Sequence, residues 1–86
     1  MTVWRQTGHS SNLTFWRGHG DLWCEVLESR LVKRDGHWRA QKIATFNVTL
    51  YRAGYGRVSA CEFRAYTLTA QKLATAIRLA EKPQHD

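Results

Sequence analysis

Residues 21–50 read DLWCEVLESRLVKRDGHWRAQKIATFNVTL, and the fold turns on how this stretch doubles back. Asp35-Gly36 stands between two runs of alternating residues, the strongest hairpin signal that short-range sequence offers. With those two residues as the turn, Arg34 faces His37, and each further pair steps outward by one. Cross-strand partners share a face. One face then collects Trp23, Leu27, Leu31, Trp38, Ala40, Ala44, Phe46, Val48 and Leu50. The other collects Glu28, Arg30, Arg39, Gln41, Thr45, Asn47 and Thr49, with Val26, Val32 and Ile43 among them. A slip of one residue would mix the two sets, so the pattern predicts a long hairpin with a core face and a mostly polar face.

Working outward, residues 1–12 contain Trp4-Arg5 and a polar run, and read as an irregular lead-in that Trp4 pins to the body. Leu13 to Arg17 is a short strand rich in β-formers, and Gly18 to Asp21 turns it into the hairpin. Beyond the hairpin, Gly54 and Gly56 mark a loop, and Arg57 to Tyr66 forms a fourth strand. Cys61, Phe63 and Ala65 are its expected inward set, because the alternative would turn Glu62 and Arg64 toward the core. Residues 67–82 form the one helix. Thr67 or Thr69 caps it, Pro83 stops it, and Ala70, Leu73, Ala74, Ala76, Ile77 and Ala80 make its apolar stripe. Residues 83–86 are a tail. The expected class is α+β: a four-stranded antiparallel meander, residues 13–66, with a C-terminal helix on one face, all in a single domain of residues 1–86.

Composition narrows the partners. The 86 residues carry 13 basic and 7 acidic groups, a net charge of +6 that is spread over both halves of the chain. A folded basic domain suits nucleic acid or an acidic protein surface. Ten aromatic residues, four of them Trp, supply the buried area that so short a chain needs. Residues 1–11 are polar, with no apolar run of leader type. Cys24 and Cys61 therefore read as free thiols of a reducing cytoplasm, and no stretch has the length of a membrane-spanning helix.

Three patterns bear on function. Arg30, Lys33, Arg34, Arg39 and Lys42 crowd the hairpin tip, with Asp35 the only acid among them and His37 just past the turn. A two-stranded ribbon fits a DNA major groove, where arginines contact phosphates or guanine edges. An aromatic followed by Arg recurs at Trp4-Arg5, Trp16-Arg17, Trp38-Arg39, Tyr51-Arg52 and Phe63-Arg64. In a strand this puts aromatics in and arginines out, although Tyr51 falls on the polar face of the assumed register. Three Gly-His pairs, at residues 8–9, 18–19 and 36–37, match no ligand spacing, so no metal or other cofactor is expected. No paired carboxylates and no Cys/His couple suggest catalysis, and the chain reads as non-enzymatic.

The order of elements, an antiparallel sheet followed by an alanine-rich helix, resembles plant ethylene-response and integrase-arm DNA-binding domains. It is also similar to the last three strands and helix of double-stranded RNA-binding domains. The resemblance lies in architecture alone and assigns no residue. The expected function is nucleic-acid binding through Arg30, Lys33, Arg34, His37, Arg39, Lys42 and Arg52. The rival is a protein-binding inhibitor or adaptor, of the kind compact phage-like elements supply, docking on an acidic or nucleic-acid-handling partner. Val26, Val32 and Ile43 on the outer face favour that rival, and a homodimer through a sheet edge fits either reading.

Overall fold

A computed structural model describes residues 3–81. Five strands follow one another as neighbours in a single antiparallel meander: β1 (Arg5–Ser10), β2 (Leu13–Arg17), β3 (Leu22–Arg34), β4 (His37–Arg52) and β5 (Gly56–Ala65). One helix, α1 (Ala70–Glu81), comes last. The class is α+β, as the sequence indicates, but the sheet has five strands where four are expected.

The extra strand is β1, carved from the polar lead-in. Its residues lack an apolar alternation because it is an edge strand, exposed at nearly every position. Two contacts hold the segment in place. Ser11 takes a positive φ of 57° in the tight link to β2, and Asn12 bonds both ways with Glu28 on β3: the Glu28 amide to the Asn12 carbonyl at 2.8 Å, and Asn12 Nδ2 to the Glu28 carbonyl at 3.0 Å. Trp4, just ahead of β1, is buried in the core. Its ring lies over Gly18 so closely that a Cβ there would sit 2.9 Å from it.

The hairpin turn forms as expected, with Asp35 at φ 50° and Gly36 at φ 76°, the pair of left-handed residues that a two-residue turn of right-handed twist requires. Pairing then runs as predicted from Arg34↔His37 to Leu31↔Ala40. There it breaks step. The next pair is Ser29↔Thr45, so a single residue of β3, Arg30, faces four of β4, Gln41 to Ala44. An odd net shift exchanges the faces of a strand. The face set inferred from uninterrupted pairing is therefore correct for the root of β4 and wrong for β3. Ala44, Phe46, Val48 and Leu50 are buried, and they pair with the parity of Cys24 and Val26, which are buried too. Trp23, Leu27, Leu31 and Trp38 are not core residues. They stand on the opposite face, which α1 does not cover.

On the core side, Trp16, Cys24, Val26, Phe46, Val48 and Leu50 meet Leu73 and Ile77 of α1, with Trp4 closing one end. Cys61, Phe63 and Ala65 are half-buried against this cluster, and Glu62 and Arg64 are exposed, as expected. Phe46 and Phe63 stack at 5.2 Å. Thr69, not Thr67, caps α1: its Oγ1 accepts from the Lys72 amide at 3.1 Å, so the helix begins three residues later than the sequence suggests. Residues 82–86, including Pro83 and the tail, lie outside the described residues.

Candidate functional site

The hairpin outruns its neighbours. β2 pairs with β3 no further than Leu13↔Leu27, and β5 pairs with β4 no further than Ala44↔Ala65. Beyond the break in pairing, residues 31–34 and 37–40 bond only to each other. They form a free two-stranded arm about 10–15 Å long, given the rise per strand residue. One face of the arm carries Leu31, Lys33, Trp38 and Ala40, and the other carries Val32, Arg34, His37 and Arg39. Leu31 and Trp38 are 63% and 66% exposed.

Arg30 sits at the base of the arm and is already occupied. Its guanidinium donates to the carbonyls of Gln41 at 3.1 Å, Lys42 at 2.6 Å and Tyr66 at 2.8 Å, while Nε meets Glu28 Oε2 at 3.2 Å. The planar fork fills the gap left by the interrupted ladder and fastens the arm to the β5–α1 connection. The bond to Gln41 is part-buried and those to Lys42 and Tyr66 are exposed, so Arg30 chiefly supplies a donor to one half-buried carbonyl of the broken ladder.

The other expected site residues divide between two ends of the molecule. Lys33, Arg34, His37 and Arg39 are exposed on the arm, and Lys42 is exposed at its base. Arg52 is opposite Leu22 at the far end of the hairpin, some 35–40 Å away by strand rise. The Arg30–Glu28 contact is the one ion pair among the described residues, so the arm's other cations are without a carboxylate partner.

The root end holds a constellation that the sequence reading does not assemble. Pairing aligns Arg5↔Arg17, Arg17↔Trp23, Trp23↔Tyr51 and Tyr51↔Arg57, one row across all five strands on the uncovered face. Trp23 and Tyr51 stack there, with centroids 4.2 Å apart and planes 13° from parallel. The aromatic–Arg dipeptides foreshadow this row. Trp4 and Trp16 do point inward and Arg5 and Arg17 outward, as do Phe63 and Arg64. Trp38 is the exception beside Tyr51, because its side chain is exposed. What the dipeptides cannot show is that the arginines of β1, β2 and β5 fall on one cross-strand line, since two one-residue bulges, at Gln6/Gly8 and Leu50/Tyr51, set that alignment.

Of the apolar residues expected on the outer face, Val32 stays beside Arg39 on the arm and the other two are elsewhere. Val26 is in the core, and Ile43 lines an open groove of about 920 Å³ between β5 and α1, with Phe63, Ala76 and Leu79. Leu27, Leu31 and Trp38 take their place outside. The cysteines are free, and burial pushes the Cys24 thiol up to about 12. Cys61 lies about two strand spacings from Cys24, near 10 Å, too far for a disulfide. The three Gly-His histidines stand on β1, in the β2–β3 turn and on the arm. Among the described residues no three His, Cys, Asp or Glu side chains converge on a metal position, and no helix is long and apolar enough to cross a membrane.

Comparison with protein-family models, with curated proteins and with solved structures finds no match.

Proposed function

We propose that this protein is a non-enzymatic nucleic-acid-binding module that engages duplex through its β-arm. The observation that carries the reading is the arm itself: a free ribbon bearing Lys33, Arg34 and Arg39, with Lys42 at its base and Asp35 the only acid between Leu31 and Lys42. A ribbon of this kind matches the width of a major groove. Arg34 and Arg39 share one face and Lys33 stands beside Trp38 on the other, so a ribbon inserted in the groove meets phosphate or base edges from both of its faces. Arg30 supports the arm from behind and makes no contact of its own, and Arg52 belongs to the other end of the hairpin.

The test is anisotropy with labelled duplex DNA and RNA across a salt series. Four phosphate contacts give a log–log slope of about −3 to −4. Affinity indifferent to salt, or no binding to either duplex, would sink the reading.

A second reading is favoured by one observation. Leu27, Leu31 and Trp38 make an exposed apolar strip rimmed by charge, which is how a protein-docking surface presents itself. Here the protein is an inhibitor or adaptor on an acidic partner. Retention of a stoichiometric protein partner after nuclease treatment, with binding lost in Trp38→Ala and Leu31→Ala, distinguishes this reading from the first.

A further inference from the structure

We infer that the row Arg5–Arg17–Trp23–Tyr51–Arg57 at the root of the sheet is a second site, which takes unpaired bases of single-stranded nucleic acid. The inference rests on the nucleic-acid reading above but concerns the opposite end of the hairpin and a different form of the ligand.

Five adjacent strands place the row across about 19 Å, four strand spacings. The aromatic stack at its centre has parallel rings 4.2 Å apart on neighbouring strands, so the ring normals run along the row. Each ring covers one π face of the other. The second face of Trp23 is turned toward the β2 position of Arg17, and that of Tyr51 toward the β5 position of Arg57. Trp23 and Tyr51 are half-buried, and one strand spacing of about 4.8 Å is too narrow to hold a base between ring and guanidinium. A base reaches the outer face of either ring as the flexible arginine side chain swings aside, and the guanidinium then meets the far side of the base or its phosphate. Both groups stack on nucleobases of any identity. Arg5 extends the positive edge by one strand.

Charge selects the same ligand. Arg5, Arg17 and Arg57 are exposed, and among the described residues none pairs with a carboxylate. Glu25 and Glu62 share the face, but in the next two rows toward the arm, opposite Thr49 and Asn47; Asp21 lies in the turn before β3. Three cations thus stand on the aromatic row itself, with Glu25 one row away on the same face. α1 packs on the other side of the sheet, so no element of the described chain covers the row. A duplex buries its base faces in its own stack, whereas a single strand offers them. The alternation of cation and aromatic therefore fits the unpaired form.

The experiment uses fluorescein-labelled oligo-dT of about a dozen nucleotides, within the site size such platforms occupy, beside a labelled duplex. The triple variant Arg5→Gln/Arg17→Gln/Arg57→Gln is expected to weaken dT binding at least tenfold and flatten its salt slope by about 2, with duplex binding changed less than threefold. Lys33→Gln/Arg34→Gln/Arg39→Gln should do the reverse. Tyr51→Leu, which keeps an apolar body but removes the π face, should cost about tenfold on dT, whereas Tyr51→Phe keeps wild-type affinity. Thermal melts confirm that each variant is folded. If the root triple leaves dT affinity unchanged, or Tyr51→Leu matches Tyr51→Phe, the inference fails while the arm reading stands. If neither dT nor duplex binds the wild-type protein, both fail together.

Discussion

Arg30 occupies the one point where the β3–β4 ladder loses step, and its side chain makes that irregularity tolerable. Three carbonyls and one carboxylate receive its guanidinium. The carboxylate matters least: both partners are about a third exposed, and such pairs are worth less than about 1 kcal/mol. The carbonyls matter more, although only that of Gln41 is part-buried while those of Lys42 and Tyr66 are open to water, so one acceptor at most is stranded, at a cost of about 1–2 kcal/mol. Arg30→Ala is therefore expected to lower unfolding free energy by about 1–2 kcal/mol, and Glu28→Gln by under about 0.5 kcal/mol, measured as shifts of the urea midpoint. Arg30→Lys restores only part, since one ammonium cannot serve three carbonyls set around a planar fork. A stability loss for Arg30→Ala no greater than that of Glu28→Gln would show that the gap closes without it.

Cys24 carries a residue-scale prediction of a different kind. Burial raises its thiol from 9.0 to about 12, so the folded chain holds this proton where the unfolded chain has lost it. Stability contributed in this way is fully present below about pH 9 and falls as pH rises toward 12. The slope approaches 1.4 kcal/mol per pH unit for one such group. Urea midpoints at pH 8 and pH 10 should drop more for wild type than for Cys24→Ala, and native Cys24 should resist alkylation until the protein unfolds. Equal drops in the two proteins would contradict the assignment.

At the scale of elements, the arm and the sheet behave as different materials. The turn, the tip register, the inward face of β5 and the centre of the apolar stripe of α1 are legible in the sequence, because each rests on local chemistry: Asp35-Gly36, the alternation around Phe63, the spacing of Leu73 and Ile77. Ala80, expected in the stripe, is exposed near the end of the helix. The face of β3 is not legible. Trp23, Leu27 and Leu31 alternate as a core set should, and only the four residues opposite Arg30 reverse them. A break in pairing three residues deep leaves no composition signal, since Gln41, Lys42 and Ile43 are ordinary strand residues. β1 is hidden for another reason: an edge strand exposed on both sides has no apolar alternation to read. The arm's independence from the sheet leads to a direct expectation. Trp38 is 66% exposed and outside the core cluster, so Trp38→Ser should shift stability by no more than about 0.5 kcal/mol, yet weaken whichever partner the arm engages. A large loss of stability in thermal melts would mean that the arm folds back as part of the core. Thr69→Ala, by contrast, removes the cap of the one helix and should cost about 1 kcal/mol with no effect on binding.

Over the whole molecule, the two charged ends stand apart along its longest dimension. The extents are 44 × 37 × 22 Å, and the hairpin spans most of the first from the Trp23–Tyr51 row to the Asp35-Gly36 turn. Under the two proposals, duplex at the arm and unpaired strand at the row, a single ligand that changes from one form to the other would occupy both. Binding the second end then becomes an intramolecular event, governed by whether the single-stranded tail reaches. A tail too short to span about 35–40 Å, the strand rise between the two sites, should bind no better than plain duplex. Past that length, affinity should climb by at least tenfold, and then fall away slowly as the tail grows. The series is read by anisotropy with one duplex and tails of increasing length, in wild type and in each triple variant. Both triple variants should abolish the step. A smooth rise with tail length that survives in the Arg5→Gln/Arg17→Gln/Arg57→Gln protein would instead mark the gain as diffuse attraction to a chain of net charge +6, with no second site behind it.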